Sequence, residues 1–194
     1  MSKSDSVAAK KERNKTIRWV VTIFFVTMLV SGLISLLSDQ IMSVSGMTVA
    51  FLILLFIILV GIIFDIIGVA VTSADEKPFH SMAARKVPGA QESIKLMRNA
   101  ERVSSICNDV IGDICGVVSG SASATIAAQV LQSIDFSWPQ LVTLLMSALV
   151  AGLTVGGKAI GKTVAINSCT KIVHSVGKFL YVLHHIPVMH KKKK

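Results

Sequence analysis

Residues 47–64 read MTVAFLILLFIILVGIIF, eighteen positions without a charged side chain. At about 1.5 Å of rise per residue, such a run in helical form covers most of a roughly 30 Å hydrocarbon core. Only a helix suits it, because backbone N–H and C=O groups in lipid must be bonded within the segment. The run predicts a transmembrane helix over about residues 47–73. A second apolar run, 19–37, predicts another over about 17–37. Two less hydrophobic stretches, about 106–131 and 139–161, are poor in charge at their centres and bring the set to four.

The cations agree with this count. All twenty Lys and Arg fall in three segments, 3–18, 77–102 and 158–194, which hold six, six and eight of them. The short connections around 38–45 and 133–138 hold none. By the positive-inside rule, those two connections are outside and both termini are cytoplasmic. A basic region before the first run also suits a signal peptide, but the run is long and no clear small-residue cleavage site precedes 43–46, so it reads as a retained helix.

Composition narrows the class further. An apolar content of 52% with 16% charged residues describes neither a soluble domain of this size nor a disordered chain. The expected architecture is all-α: one polytopic membrane domain over 16–187, with four transmembrane helices plus interfacial amphipathic helices at about 81–105 and 163–187. A flexible basic N-terminus (1–15) and a basic tail (188–194) flank it. The net charge of +9 sits at the membrane edges with almost no interleaved aromatics, which argues against nucleic acid. Anionic lipid headgroups are the expected partner, in a bacterial plasma (inner) membrane by default.

Local signals fill in the remainder. Pro78, after Asp75, Glu76 and Lys77, makes a helical stop. Met82, Val87, Ile94, Met97 and Val103 then punctuate a basic stretch as in a surface helix. Beyond Gly161, apolar Ile172, Val173, Val176, Phe179, Leu180 and Leu183 recur at helical spacing opposite Lys171, His174 and Lys178, which predicts a belt helix. His184, His185 and His190 flank Pro187 beside a lysine run and read as solvated rather than metal-binding. The lysines at 191–194 read as an electrostatic anchor, with an endoplasmic reticulum retrieval tag as the lesser alternative. Cys107, Cys115 and Cys169 are odd in number and lack CxxC spacing, so free thiols are expected.

Two features bear on function. Gly112, Gly116 and Gly120 recur every fourth position in the third crossing, and the fourth repeats the device with Gly152 and Gly156, then Gly157 and Gly161. Small residues at that spacing admit a neighbouring backbone, either the third helix on the fourth within one chain or a homodimer interface. Asp65, Asp109, Asp113 and Lys158 are the ionisable groups expected inside the crossings, where charge is costly and marks a pathway or a partner. Asp109 and Asp113, at i and i+4, share a helix face. The four groups are expected to meet in one inward-facing vestibule.

From about residue 64 to residue 179 the chain resembles the transmembrane domain of the CNNM/CorC family of magnesium transporters. In that family a Ser-rich stretch ends in Glu-Thr-Ala-Leu-Thr-Ser, and the matching place here runs from Gly68 through Val69, Ala70, Val71, Thr72 and Ser73 to Ala74. The family's Asn-Pro-Glu-Arg is matched by Asn99, Ala100, Glu101 and Arg102. Its Gly-Glu-hydrophobic-hydrophobic-Pro-Lys-Thr-hydrophobic-Ala is matched from Gly157 to Ala165. The resemblance implies the family's transporter fold, with magnesium held by that last Glu, by hydroxyls of the Ser-rich stretch and by an Asn of the middle crossing.

Departures from the pattern alter the expected function. Lys158 stands at the ligand Glu, Gly68 at the earlier Glu, and Asp65, Ile66 and Ile67 replace the preceding serines. A hard divalent cation needs oxygen ligands, and an ammonium offers no lone pair. Asn108 and Asp113 are both near the place of the family Asn. Thirty-two residues follow Lys162, too few for the paired nucleotide-binding domains that family members carry there.

Two accounts remain open. In one, Asp65 and Lys158 form a buried ion pair in place of bound cation, and the chain is a non-transporting accessory module, a homodimer or a subunit of a larger membrane protein. In the other, a divalent cation (Mg²⁺ or Co²⁺) or protons use a displaced acidic site at Asp65, Asn108, Asp109 and Asp113. An enzyme is not expected, since phosphate loop, nucleophile elbow and metalloprotease spacing are all missing and His80 beside Ser81 is an isolated pair. No cofactor is expected beyond the possible cation.

Overall fold

The computed structural model describes the backbone of residues 3–133 and 138–191, and side chains over 17–184 apart from position 43 and 134–137. Four helical stretches are long and apolar enough to cross a bilayer: Ile17–Met42, Met47–Ser73, Ala100–Ser133 and Pro139–Asn167. No strand occurs among the described residues. The protein is an all-α polytopic membrane protein. Its elements are α1 (Lys3–Val44), α2 (Met47–Ser73), α3 (Lys77–Ala84), α4 (Ala90–Arg98), α5 (Ala100–Ser105), a π-helix (Ile106–Gly112), α6 (Asp113–Ser133), α7 (Pro139–Asn167) and α8 (Cys169–Lys191).

Several boundaries differ from the expected ones. The segment read as a flexible tail, 1–15, is helical from Lys3 on, as its Ala8, Ala9, Lys10, Lys11 and Glu12, all good helix formers, allow. α1 also continues past position 37 to Val44, because Ser38 is buried and Asp39 finds a partner on α6. α7 runs on to Asn167 instead of ending near Gly161, since Gly161 and Ala165 are buried in the bundle. α8 continues through Pro187 to Lys191, beyond the expected start of the tail at 188. The connection between α6 and α7 (134–137) and the last lysines (192–194) lie beyond the described residues.

α2 is the hub, packing on α7, α6, the π-helix, α5 and α8. Two apolar cores form along it. One, toward the α1–α2 turn, gathers Met42, Ala50, Leu54, Ile58, Ala122, Ile126 and Val150. The other, at the basic end, gathers Ala70, Val71, Phe79, Met97, Ala165 and Val173. In lipid the gain from such cores is close packing rather than transfer from water, since hydrocarbon tails are as apolar as the side chains themselves. Asp65 falls on the stretch of α2 between the two cores.

α1 is held differently. Among its described side chains only Ser38 and Met42 are buried. Its bonds to α6 form a ladder: Ser35 and Ser121 hydroxyls are 3.1 Å apart, Thr125 Oγ1 donates to Asp39 Oδ1 at 3.3 Å, and Gln129 Nε2 donates to the Met42 carbonyl at 2.8 Å. The constant offset of 86 or 87 residues makes the two helices parallel and in register. Replacing Gln129 with leucine removes one rung and leaves the Met42 carbonyl without it. The expected loss is about 1 kcal/mol, in the range of interhelical bonds in membranes, read by SDS titration of the purified protein.

At the basic end α3, α4 and α8 form a layer across the foot of α2. Phe79 is fully buried there. The Ser93 hydroxyl is shared between the carbonyls of Gly89 at 2.9 Å and Val173 at 3.2 Å. Gly89 has φ +86, and a Cβ on it would meet the Lys178 backbone nitrogen at 2.5 Å. Glycine is therefore required twice over, by backbone conformation and by the approach of α8.

Candidate functional site

The polar residues between the two cores define the candidate site. On α2, Gly61, Asp65 and Gly68 recur at three- and four-residue steps and so share one face. Lys158, from α7, reaches that face: its Nζ lies 3.9 Å from Asp65 Oδ1, with the side chains 27% and 17% exposed respectively. Among the described residues this is the only ion pair that either group makes. A single contact of that length returns little of the desolvation of two charges.

The third wall is the π-helix. Its inward residues are Asn108 and Gly112, followed by Cys115 on α6. A Cβ on Gly68 would collide with Asn108 Oδ1, one on Gly61 would fall 2.9 Å from the Cys115 Cβ, and one on Gly112 3.4 Å from Lys158 Nζ. The glycines thus let the π-helix and the lysine lie directly on the face of α2. Asn108 Nδ2 donates to Ser104 Oγ at 3.2 Å. Its Oδ1 is buried with no hydrogen-bond partner, a costly state for an amide oxygen.

The expected vestibule of four charges is only half realised. Asp65 and Lys158 meet, but Asp109 and Asp113 lie on the exposed side of the third crossing. The reason is the rotation of the π-helix, which buries Cys107 and Gly112 and sets Asn108 against Gly68, so that Asp109 and Asp113 are left on the outer side. Asp109 accepts a bond from Ser105 Oγ at 2.8 Å. No three His, Cys, Asp or Glu side chains among the described residues are gathered as a metal would require. The ligand set Asp65, Asn108, Asp109 and Asp113 is therefore not assembled.

The packing glycines are corrected as well. Gly112 has its neighbour in Lys158, but nothing lies within 4 Å of a Cβ on Gly116, Gly120, Gly152 or Gly156. They do not join the third crossing to the fourth. Close approach comes through the other expected pair, Gly157 and Gly161, and it is to α2: a Cβ on Gly157 would run into Ile62 and one on Gly161 would lie 2.8 Å from Ile66. No family model, curated protein or solved structure matches the chain.

Two participants escaped the sequence reading. Asp39 was assigned to an outside connection, yet it lies in α1 and accepts from Thr125. Cys115 packs at the site and, like Cys107 and Cys169, is free. The signal for Asp39 was available in the four-residue steps Ser31, Ser35, Asp39 on α1 and Ser121, Thr125, Gln129 on α6. His184 is exposed, and the side chains of His185 and His190 lie outside the described residues.

Proposed function

We propose that this protein is a non-transporting membrane module related in design to magnesium carriers, in which the Lys158 ammonium takes the place of the cation. The observation that carries the reading is the 3.9 Å approach of Lys158 to Asp65, beside the contact of Asn108 with Gly68. These are the positions at which the chain resembles, and departs from, the CNNM/CorC pattern. Their convergence in space supports a common site plan. The chemistry of that site is changed, because a protonated amine repels a divalent ion and donates where a ligand must accept.

On this reading the module sits in a plasma membrane with both ends at the cytoplasmic face, where its basic segments meet anionic headgroups. It acts through protein contacts, as an accessory subunit, rather than by moving ions. The decisive experiment is Lys158→Glu. Purified parent protein is expected to bind no magnesium by calorimetry and to pass none into dye-loaded proteoliposomes. The variant supplies a second carboxylate opposite Asp65, next to the unpartnered Asn108 Oδ1, and is expected to gain magnesium binding. Magnesium flux through the parent that is lost in Asp65→Asn would sink the proposal, as would a folded Lys158→Glu protein that ignores the ion.

A further inference from the structure

The end of the bundle opposite the basic segments carries a carboxylate that the chain itself cannot neutralise. Asp39 belongs to a helix long and apolar enough to cross a bilayer and is half-buried against α6. Residues 19–76 and 103–157, which build that end, contain no Lys, Arg or His. Among the described residues the carboxylate receives one hydrogen bond, from Thr125 Oγ1 at 3.3 Å. A charge in a spanning segment is costly and calls for an opposite one.

A second acceptor stands beside it without a donor. Gln129 lies one turn beyond Thr125 on α6, and its Nε2 donates to the carbonyl of Met42, three residues beyond Asp39 on α1. Amide and carboxylate therefore occupy neighbouring levels of one seam. Gln129 Oε1 is buried with no hydrogen-bond partner, which is destabilising for an amide oxygen. Exchanging the amide's two ends offers no relief, because it sets Oε1 against the Met42 carbonyl oxygen. Thr125, for its part, has one hydroxyl proton and two acceptors for it, Asp39 Oδ1 and the Ser121 carbonyl at 3.2 Å. Donation to Ser121 turns the hydroxyl's lone pairs toward the carboxylate.

We infer that Asp39, Thr125 and Gln129 form a site for an alkali cation, sodium or potassium, that fastens α1 to α6. Carboxylate, hydroxyl and amide oxygens are hard donors, and the set holds no nitrogen or sulfur ligand. One carboxylate balances one positive charge. The ion supplies the charge that Asp39 finds nowhere in the chain and gives Gln129 Oε1 its partner. α1 has few other ties, since only Ser38 and Met42 are buried among its described side chains, so an ion shared by the two helices strengthens the ladder between them.

The full-length protein in detergent is unfolded by heat in choline chloride, and again with sodium or potassium chloride replacing choline at constant ionic strength. An ion bound only by the folded state raises the midpoint as its concentration rises, and a gain of about 5 °C is expected between about 1 mM and about 150 mM. Asp39→Asn, which keeps an acceptor for Thr125, is expected to lose the response. Asp75→Asn, which alters an exposed carboxylate at the basic end, is expected to keep it. Binding of radioactive sodium to the parent, with potassium as competitor, is expected to saturate and to weaken about tenfold in Gln129→Leu; the parent's curve stands whether or not a variant folds. Equal midpoints in choline and both alkali salts together with no saturable binding overturn the inference. So does a response evoked by calcium or magnesium in preference, or one that survives in Asp39→Asn. None of these readings involves Asp65 or Lys158, so they stand apart from the proposed function.

Discussion

Gly68→Ala is expected to destabilise the protein more than any other single methyl group added to its glycines within the membrane. The new Cβ would collide with Asn108 Oδ1 and sit 2.8 Å from its Cγ, far inside contact distance. Asn108 is short, bonded to Ser104 and fixed to a π-helix that also packs on α2, so it has little room to withdraw. Overpacking of this kind costs roughly 1–3 kcal/mol, and the upper end, about 3 kcal/mol, is expected here. Thermal unfolding in detergent measures it. The double variant Gly68→Ala with Asn108→Ala should recover most of the loss, whereas an unchanged midpoint in Gly68→Ala would mean that Asn108 lies elsewhere. Gly157 offers the contrast: its intruder is Ile62 Cδ1, the tip of a side chain that can rotate, so alanine there should be much milder.

The second large effect concerns the ion pair. Lys158→Met leaves Asp65 in the interior with no opposite charge among the described residues. Removing one partner of a fully enclosed pair costs roughly 3–5 kcal/mol; at 17% and 27% exposure some solvent compensation remains, and about 2 kcal/mol is expected. Replacing both members, Asp65→Leu with Lys158→Met, should be close to neutral, because a single long contact returns little of what desolvation takes. If the losses of Asp65→Leu and Lys158→Met made separately add up to the loss in the double variant, the two groups do not interact.

The spans were legible because charge and hydropathy are local: eighteen uncharged residues before Asp65 require a crossing whatever surrounds them. Helix ends were less so. Ser38, Asp39 and Gln40 look like a turn until α6 is brought alongside: Thr125, 86 residues further on, donates to Asp39, between the Ser35–Ser121 and Met42–Gln129 contacts. The pairing of Asp65 with Lys158 was legible from depth, since each stands a similar distance from the basic end.

Rotation was what the sequence could not supply. Asp109 and Asp113 do share a face, as their spacing demands, but the spacing does not say which way that face points. The π-helix over Ile106–Gly112 turns Asn108 and Gly112 to the core instead. The same limit applies to glycine: Gly116 and Gly61 carry the same absence of a side chain, and only the structure separates the one that meets a neighbour from the one left open.

The ladder between α1 and α6 has a consequence for biosynthesis. α1 leaves the ribosome first, but its hydrogen-bond acceptors and donors on α6 are encoded 86 residues later. At about 5–20 residues per second of translation, the helix waits on the order of ten seconds before its docking partner exists. During that interval Ser35 and Asp39 must be tolerated by lipid alone. The dense apolar run of Val20, Val21, Phe24, Phe25, Leu29 and Leu33, exposed even in the finished bundle, is what lets α1 stay inserted as a solitary helix until the chain behind it arrives.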